Sequence, residues 1–283
     1  MRNKYNIGID LGGTNVRGGL VSEDNLQKII SRRIDACRSV EEVVEKIFSL
    51  VDQLINKEVT AIGIGVPGLI DAKEGIVYDV IKIPYWTEVP LQNILEQRYQ
   101  LPVLINNDAN CFALGEFYFG KGKESSDMVG LTIGTGLGAG IIIKNKLYTG
   151  RHYGAGEFGM IDYLDECYEY YASGLFFQNV YQTDGETVFK RAKAGDNEAI
   201  KMYKEMGVHL GKAIKMIVYA LDVELIVLGG SVRHAWPWFS SSMWQNIQTV
   251  AFQKTVQHLR IEVSELTNSG ILGAASLYYD LHQ

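Results

Sequence analysis

Two stretches of the chain lie over one another without a gap: 10-DLGGTNVRGGLV-21 and 132-TIGTGLGAGIII-143. Each passes from a polar residue through an apolar one into a turn of glycine and other small residues. A further glycine then opens an apolar run. Each reads as a strand, a glycine turn and a returning strand. Glycine lets the backbone reach positive φ and come close to a ligand, and successive exposed N–H groups in such a turn form a nest for anionic oxygens. A hairpin needs one or two glycines, whereas Gly134, Gly136, Gly138 and Gly140 recur at every second position. A duplicated hairpin of this kind implies two related halves that face each other across a cleft and hold a polyphosphate between them. The plainer alternative is two unrelated tight hairpins.

The rest of the chain supplies the covering layers. Tyr5–Leu11 and Val16–Val21 read as the strands of the first hairpin, and Val129–Ile133 and Gly140–Ile143 as those of the second. Val40–Asn56 carries Val43, Val44, Ile47, Val51, Leu54 and Ile55 at helical spacing. Ala61–Val66 is an apolar strand that stops at Pro67-Gly68. Leu91–Tyr99 reads as a short helix and Val103–Ile105 as a strand. Residues 109–117 and Glu205–Leu221 read as helices, Leu225–Leu228 as a buried strand and Ile271–Leu281 as a final helix. Strands alternating with helices predict an α/β protein with helix-covered sheets.

Bulk properties narrow the function classes. With 283 residues the chain can bury a large core or two medium ones. Apolar residues make up 47% and charged residues 21%, which is ordinary for a globular protein. The net charge of −6 argues against a nucleic-acid surface, which needs a basic stripe. The three cysteines, Cys37, Cys111 and Cys167, are far apart and odd in number, as expected in a reducing cytoplasm. The opening MRNKYNIGIDLGG lacks the apolar core of a signal peptide, and no apolar run approaches the roughly 20 residues of a membrane span.

Two common phosphate motifs fail on context. Gly134–Ala139 fits the dinucleotide pattern G-x-G-x-x-G/A, but that pattern must open a helix whose N-terminus takes the pyrophosphate. Here GIIIKNKLYTG follows, a strand and a turn. Gly115-EFYF-Gly120-Lys121 looks like a P-loop, but Gly122 stands where a Mg²⁺-binding Ser or Thr is required.

Taken in order, seven segments carry a family resemblance. They are IGIDLGGTN, GIGVPGLID, INNDAN, LTIGTGLGAGII, GAGEFG, ELIVLGGSV and NSGILGAASL. Along nearly the whole chain they resemble the ROK family of sugar kinases, within the actin/hexokinase/Hsp70 ATPase superfamily. The resemblance implies a two-lobed ribonuclease H-like fold with a central cleft. One lobe is expected over residues 1–117 plus 270–283, the other over 118–269.

Each implied role has its own chemistry. Asp108, at the end of the strand VLI, would be the general base that accepts the proton of an attacking sugar hydroxyl. Read without the resemblance, it is a turn residue or a helix cap. Asn107 would hydrogen-bond another sugar hydroxyl, and Gly68 of the Pro-Gly turn would lie beside the sugar. Asp10 would face Mg²⁺ through water, because a carboxylate beside a phosphate nest is repulsive unless a cation lies between them. Gly12, Gly13, Thr14 and Asn15 of the first turn, and Thr132, Gly134, Thr135 and Gly136 of the second, would hold ATP phosphates. Gly229 and Gly230 would let the nucleotide pack against backbone. Glu157 and Glu169 would bind sugar hydroxyls, since a sugar presents several O–H donors to an acceptor carboxylate.

The acidic stretch 156-GEFGMIDYLDECYEYYASG-174 departs from the family pattern. The family usually has Gly-His followed by a cysteine-rich loop that, with the His, binds structural zinc. Here Met160 replaces the His, and only Cys167-Tyr168-Glu169 matches the end of the loop. One cysteine cannot close a zinc site, which normally takes four Cys or His ligands. Asp162, Asp165 and Glu166 read as solvated carboxylates, and no structural zinc is expected. Glu169 reads as the start of a helix EYYASGLFFQNV. Tyr163, Tyr168, Tyr170 and Tyr171 are the candidates to hold the loop by packing instead.

The resulting expectation is an ATP- and Mg²⁺-dependent hexose kinase, glucokinase-like, with glucose as the first substrate. N-acetylmannosamine or fructose kinase of the same family is the alternative, the former because some such kinases also lack the zinc loop. Family members that repress sugar genes carry an N-terminal helix-turn-helix domain, for which ten residues before the first turn leave no room. A non-catalytic sugar-sensing protein is opposed by Asp108 and both phosphate turns. The resemblance also implies a cytoplasmic homodimer without nucleic-acid or membrane partners.

Overall fold

A computed structural model describes residues 4–22, 25–80, 83 and 85–282. It divides into two compact units, residues 1–123, 145–155 and 266–283 in the first and residues 124–144 and 156–265 in the second.

The first unit opens on β1 (Tyr5–Leu11), β2 (Asn15–Val21) and β3 (Leu26–Arg33), three strands in succession. Helix α1 (Val40–Val51) follows. Its N-cap Ser39 accepts the Glu42 N–H, and it buries Val43, Val44, Ile47, Leu50 and Val51 on one face. It stops short of the expected Asn56. Gln53 and Leu54 donate to carbonyls three residues back, which winds the end into a tight turn. Strand β4 (Val59–Val66) leads to a small sheet of β5 (Leu69–Asp71), β6 (Ile76–Tyr78) and β7 (Glu88–Val89). Helix α2 (Leu91–Tyr99), strand β8 (Val103–Asn107) and helix α3 (Asp108–Phe119) complete this stretch. The P-loop-like residues Gly115–Phe119 are helical, and the buried Glu116 accepts the Lys121 N–H at 3.2 Å where the helix ends.

The main sheet of this unit has the order β3-β2-β1-β4-β8. β2 is antiparallel to β1 and β3, and β4 is parallel to β1 and β8.

In the second unit β9 (Met128–Ile133) and β10 (Leu137–Ile143) form the second glycine hairpin; β11 (Lys146–Tyr148), which follows along the chain, counts with the first unit. Next come the two-residue strands β12 (Asp162–Tyr163) and β13 (Glu166–Cys167), paired with one another. Helices α4 (Tyr168–Ala172), α5 (Leu175–Tyr181), α6 (Gly185–Lys193) and α7 (Asn197–Leu221) follow. Helix α7 begins eight residues before the expected Glu205, because Asp196 caps it by accepting the Glu198 and Ala199 N–H groups. Strand β14 (Leu225–Gly229), helices α8 (Trp236–Ile247) and α9 (Gln253–His258) and strand β15 (Arg260–Val263) finish this part of the chain.

The second sheet has the order β11-β10-β9-β14-β15, with β9 parallel to β14 and β14 parallel to β15. Both sheets therefore consist of a three-strand meander extended by two parallel strands. The resemblance between the two glycine hairpins is the trace of this repeated strand order, as expected for a ribonuclease H-like α/β fold.

Helix α10 (Ser269–His282) returns to the first unit and packs on α3, β1 and β4. The approach is so close that only glycine fits. A Cβ on Gly63 would lie 1.8 Å from the Ala274 carbonyl oxygen, and one on Gly273 1.6 Å from that of Cys111. Among the described residues no helix is long and apolar enough to cross a membrane.

Candidate functional site

The first unit gathers the amino-terminal group of expected site residues at one edge of its sheet. Strand register places Asp10 beside Gly65, and Gly65 beside Asn106. These are the carboxyl ends of three parallel strands, where α/β sheets bind ligands. Asp10 and Asn106 are therefore two strands apart, about 10 Å at the usual strand spacing. Asn107 caps α3, its Oδ1 accepting the Asn110 N–H at 2.7 Å, which leaves its Nδ2 as a donor. Asp108 follows as the first residue of the helix and is exposed. Beneath them, burial together with the carboxylates of Asp108 and Asp10 pushes the Cys111 thiol well above its ordinary pKa. Gly68 has φ +118°, and its backbone turns against the carbonyls of Tyr78 and Asp79.

The first glycine turn is closed by a bond from the Gly12 N–H to the Asn15 carbonyl at 2.9 Å, and Thr14 accepts the Ile34 N–H. Asp10 does not stand alone there. Arg17, its cross-strand neighbour on β2, donates to Oδ2 at 3.1 Å. Sequence reading missed Arg17, and the signal that finds it is the hairpin register. Gly270, at the start of α10, also faces the Asp10 carboxyl, its Cβ position lying 3.2 Å from Asp10 Cγ. A single carboxylate among backbone groups fits a Mg²⁺ that keeps most of its waters, so Asp10 would meet such an ion through water.

The second unit holds the other group. Thr132 and Gly229 are register partners at the ends of parallel strands, and Thr132 donates its hydroxyl to the Gly138 carbonyl at 3.2 Å. Gly230 has φ +76° and lies against Ile133, 2.2 Å from its carbonyl oxygen at the Cβ position, so no side chain fits. Within the turn the Gly134 N–H is taken by the Gly136 carbonyl at 3.0 Å. Among the described residues the N–H groups of Thr135 and Gly136 have no backbone partner outside the strand ladder, and a Cβ on Gly134 would meet nothing within 4 Å. An open nest of this kind fits a phosphate. Beside it is a cavity of about 540 Å³ lined by Gly134, Thr135, Gly174, Phe177, Gln178 and Ser231 among others. Its volume is that of a small-molecule site. The contributions from α5 and α6 were not read from the sequence; the legible trace is the run of Gly174, Gly185 and the cap Asp184, which accepts the Thr187 N–H.

The expected helix EYYASGLFFQNV is two helices. Ser173 is extended between α4 and α5. There its hydroxyl donates to the Thr135 carbonyl at 2.8 Å and the Gly174 N–H to the Gly134 carbonyl at 2.7 Å. The chain breaks because its polar groups bond the glycine turn.

Glu157 lies in the loop Gly154–Gly159 and Glu169 on α4. Burial of the Glu157 carboxyl, and then the nearby Glu169 carboxylate, raise its pKa above the ordinary glutamate value. Glu169 is already engaged, its Oε2 accepting the Leu137 N–H at 2.8 Å. Asp162, Asp165 and Glu166 are exposed on the β12–β13 hairpin. Cys167 is its only thiol or imidazole, and among the described residues no group of three or more His, Cys, Asp or Glu is placed to hold a metal ion. Aromatic packing occupies that place. Tyr163 stacks on Tyr168 at 4.4 Å, meets Tyr171 edge-on at 5.7 Å, and shares a 3.0 Å hydrogen bond with His209 Nδ1 on α7. Burial lowers the His209 pKa, Lys212 lowers it further and Glu205 opposes both.

Comparison with known proteins agrees with this architecture. The chain is 30% identical to a glucokinase of Thermotoga maritima, with 96% of each chain covered. It is 29% identical to a xylose repressor of Caldicellulosiruptor bescii over 94% of its own length and 75% of the repressor's. Its fold matches the structure of a ROK family glucokinase from Streptomyces griseus in complex with glucose and AMPPNP, with a TM-score of 0.80, 28% identity and 96% and 98% of the two chains covered. The ROK family model matches residues 6–280, and this chain belongs to the ROK family.

Proposed function

We propose that this ROK protein is an ATP-dependent hexose kinase. The family contains repressors as well as sugar kinases, so membership alone does not decide the matter. The observation that carries the reading is the second glycine turn, whose Gly134 and Thr135 line a nucleotide-sized cavity, in a chain that also retains an exposed Asp108.

Phosphoryl transfer asks the protein mainly for in-line positioning and charge stabilisation. Gly134, Thr135 and Gly136 cradle the β- and γ-phosphates, with Thr132 supporting the turn, and Gly229 and Gly230 admit the rest of the nucleotide. Asp10, with Gly12, Gly13, Thr14 and Asn15, serves as a phosphate-binding turn of its own. Asp10 would hold Mg²⁺ through water, the ion supplying charge neutralisation to the phosphates, and Arg17 keeps the Asp10 carboxylate oriented. Asn107, Glu157 and Glu169 hold sugar hydroxyls, with Gly68 beside them. Asp108 takes the proton of the hydroxyl that attacks the γ-phosphorus.

Glucose is the first substrate to try. The β12–β13 hairpin, with Met160 in place of the usual histidine, favours N-acetylmannosamine as the second. A coupled ADP-release assay over glucose, fructose, mannose, N-acetylmannosamine and N-acetylglucosamine tests the reading. Sugar-dependent ADP release with one of them is expected. No release with any of them would overturn the kinase reading and leave a sugar-sensing protein. A homodimer is the proposed assembly, and light scattering after size exclusion should return twice the chain mass.

A further inference from the structure

Glu169 makes a contact that sugar binding does not require. Its Oε2 accepts the backbone N–H of Leu137, the residue that closes the second glycine turn, at 2.8 Å. A Cβ on Gly136 would lie 2.3 Å from the same oxygen, so the turn is shaped around this carboxylate. The junction after α4 holds the opposite side of the turn. Ser173 Oγ and the Leu175 N–H both donate to the Thr135 carbonyl, at 2.8 and 3.3 Å, and the Gly174 N–H donates to that of Gly134 at 2.7 Å. Two carbonyls of the turn and the Leu137 N–H are thereby tied down, while among the described residues the Thr135 and Gly136 N–H groups show no such tie.

We propose that Glu169 is a positioning residue for the nucleotide: it fixes the phosphate-binding conformation of the Gly134–Leu137 turn. This inference rests on the kinase reading and deepens it. The same carboxylate keeps Oε1 for a sugar hydroxyl, so sugar and nucleotide affinities are linked through one side chain. Such linkage is reciprocal, each ligand tightening the other by the same factor.

Nucleotide affinity measured without sugar separates this role from simple sugar contact. AMPPNP is titrated calorimetrically into the wild-type protein, Glu169→Ala and Glu169→Gln. Glu169→Ala is expected to weaken AMPPNP about tenfold, the scale of one lost charge-assisted hydrogen bond. Glu169→Gln, whose amide oxygen can still accept the Leu137 N–H, should stay within about threefold of wild type. Wild-type affinity in Glu169→Ala, or equal losses in Ala and Gln, would overturn the inference. Gly136→Ala covers the case in which Glu169→Ala does not fold. It forces the Glu169 carboxyl off the turn and should weaken AMPPNP to a similar extent, and unchanged affinity there would also overturn the inference. A wild-type protein that binds no AMPPNP would instead sink the kinase reading itself.

Discussion

Asp108 shows how a residue type acquires a role from its address. An Asp opening a helix is ordinary, but this one is exposed where three parallel strands end, with Asn107 capping the same helix just before it. A general base typically contributes about 10²–10⁴ in rate. Asp108→Asn should therefore lower kcat by about that factor while AMPPNP and sugar bind nearly as in wild type. Steady-state kinetics paired with calorimetry checks both halves, and near-wild-type kcat would remove Asp108 from the reaction. Asp10, Asp108, Glu157 and Glu169 could be proposed from the sequence because each sits in a short motif. Arg17 on Asp10 and Glu169 on Leu137 were not. Both contacts arise from register or from through-space approach, and the latter joins residues 32 apart.

Elements add constraints that no single residue carries. Helix α10 is seated by backbone contact at Gly63 and Gly273, where carbonyl oxygens occupy the space of a side chain. Gly63→Ala should cost about 2–3 kcal/mol by overpacking, visible in urea melts, whereas Gly154→Ala, in open space and without a positive φ, should lose less. The β12–β13 hairpin is pinned to α7 through Tyr163 and His209. Because burial depresses the folded pKa of His209, the unfolded chain takes up the proton first as pH falls. Stability is then constant above about pH 6.5 and declines below it, down to the folded pKa. Thermal melts from pH 5 to 8 should show this slope, and His209→Gln should flatten part of it; an unchanged slope would refute the assignment. The hairpin itself was foreseen only as packing by tyrosines. Its helix partner was not, nor was the break at Ser173, since both depend on groups distant in sequence.

For the whole molecule, the absence of a thiol or imidazole set around Cys167 predicts that metal removal leaves the fold alone. Extensive EDTA treatment should not shift the Tm, and elemental analysis should find less than stoichiometric zinc; a stoichiometric ion would contradict the hairpin's role. The duplicated glycine hairpin and the α/β class could be read from the sequence, because local periodicity and glycine spacing are properties of neighbouring residues, whereas the strand order of the two sheets could not. Tertiary structure alone decided what covers the second turn, which groups of that turn are tied down, how α5 and α6 build the cavity beside it, and that segment 145–155 belongs with the first unit. The physical reason is that a hydrogen bond or a close packing contact is specified by distance in space, and the sequence records only distance along the chain.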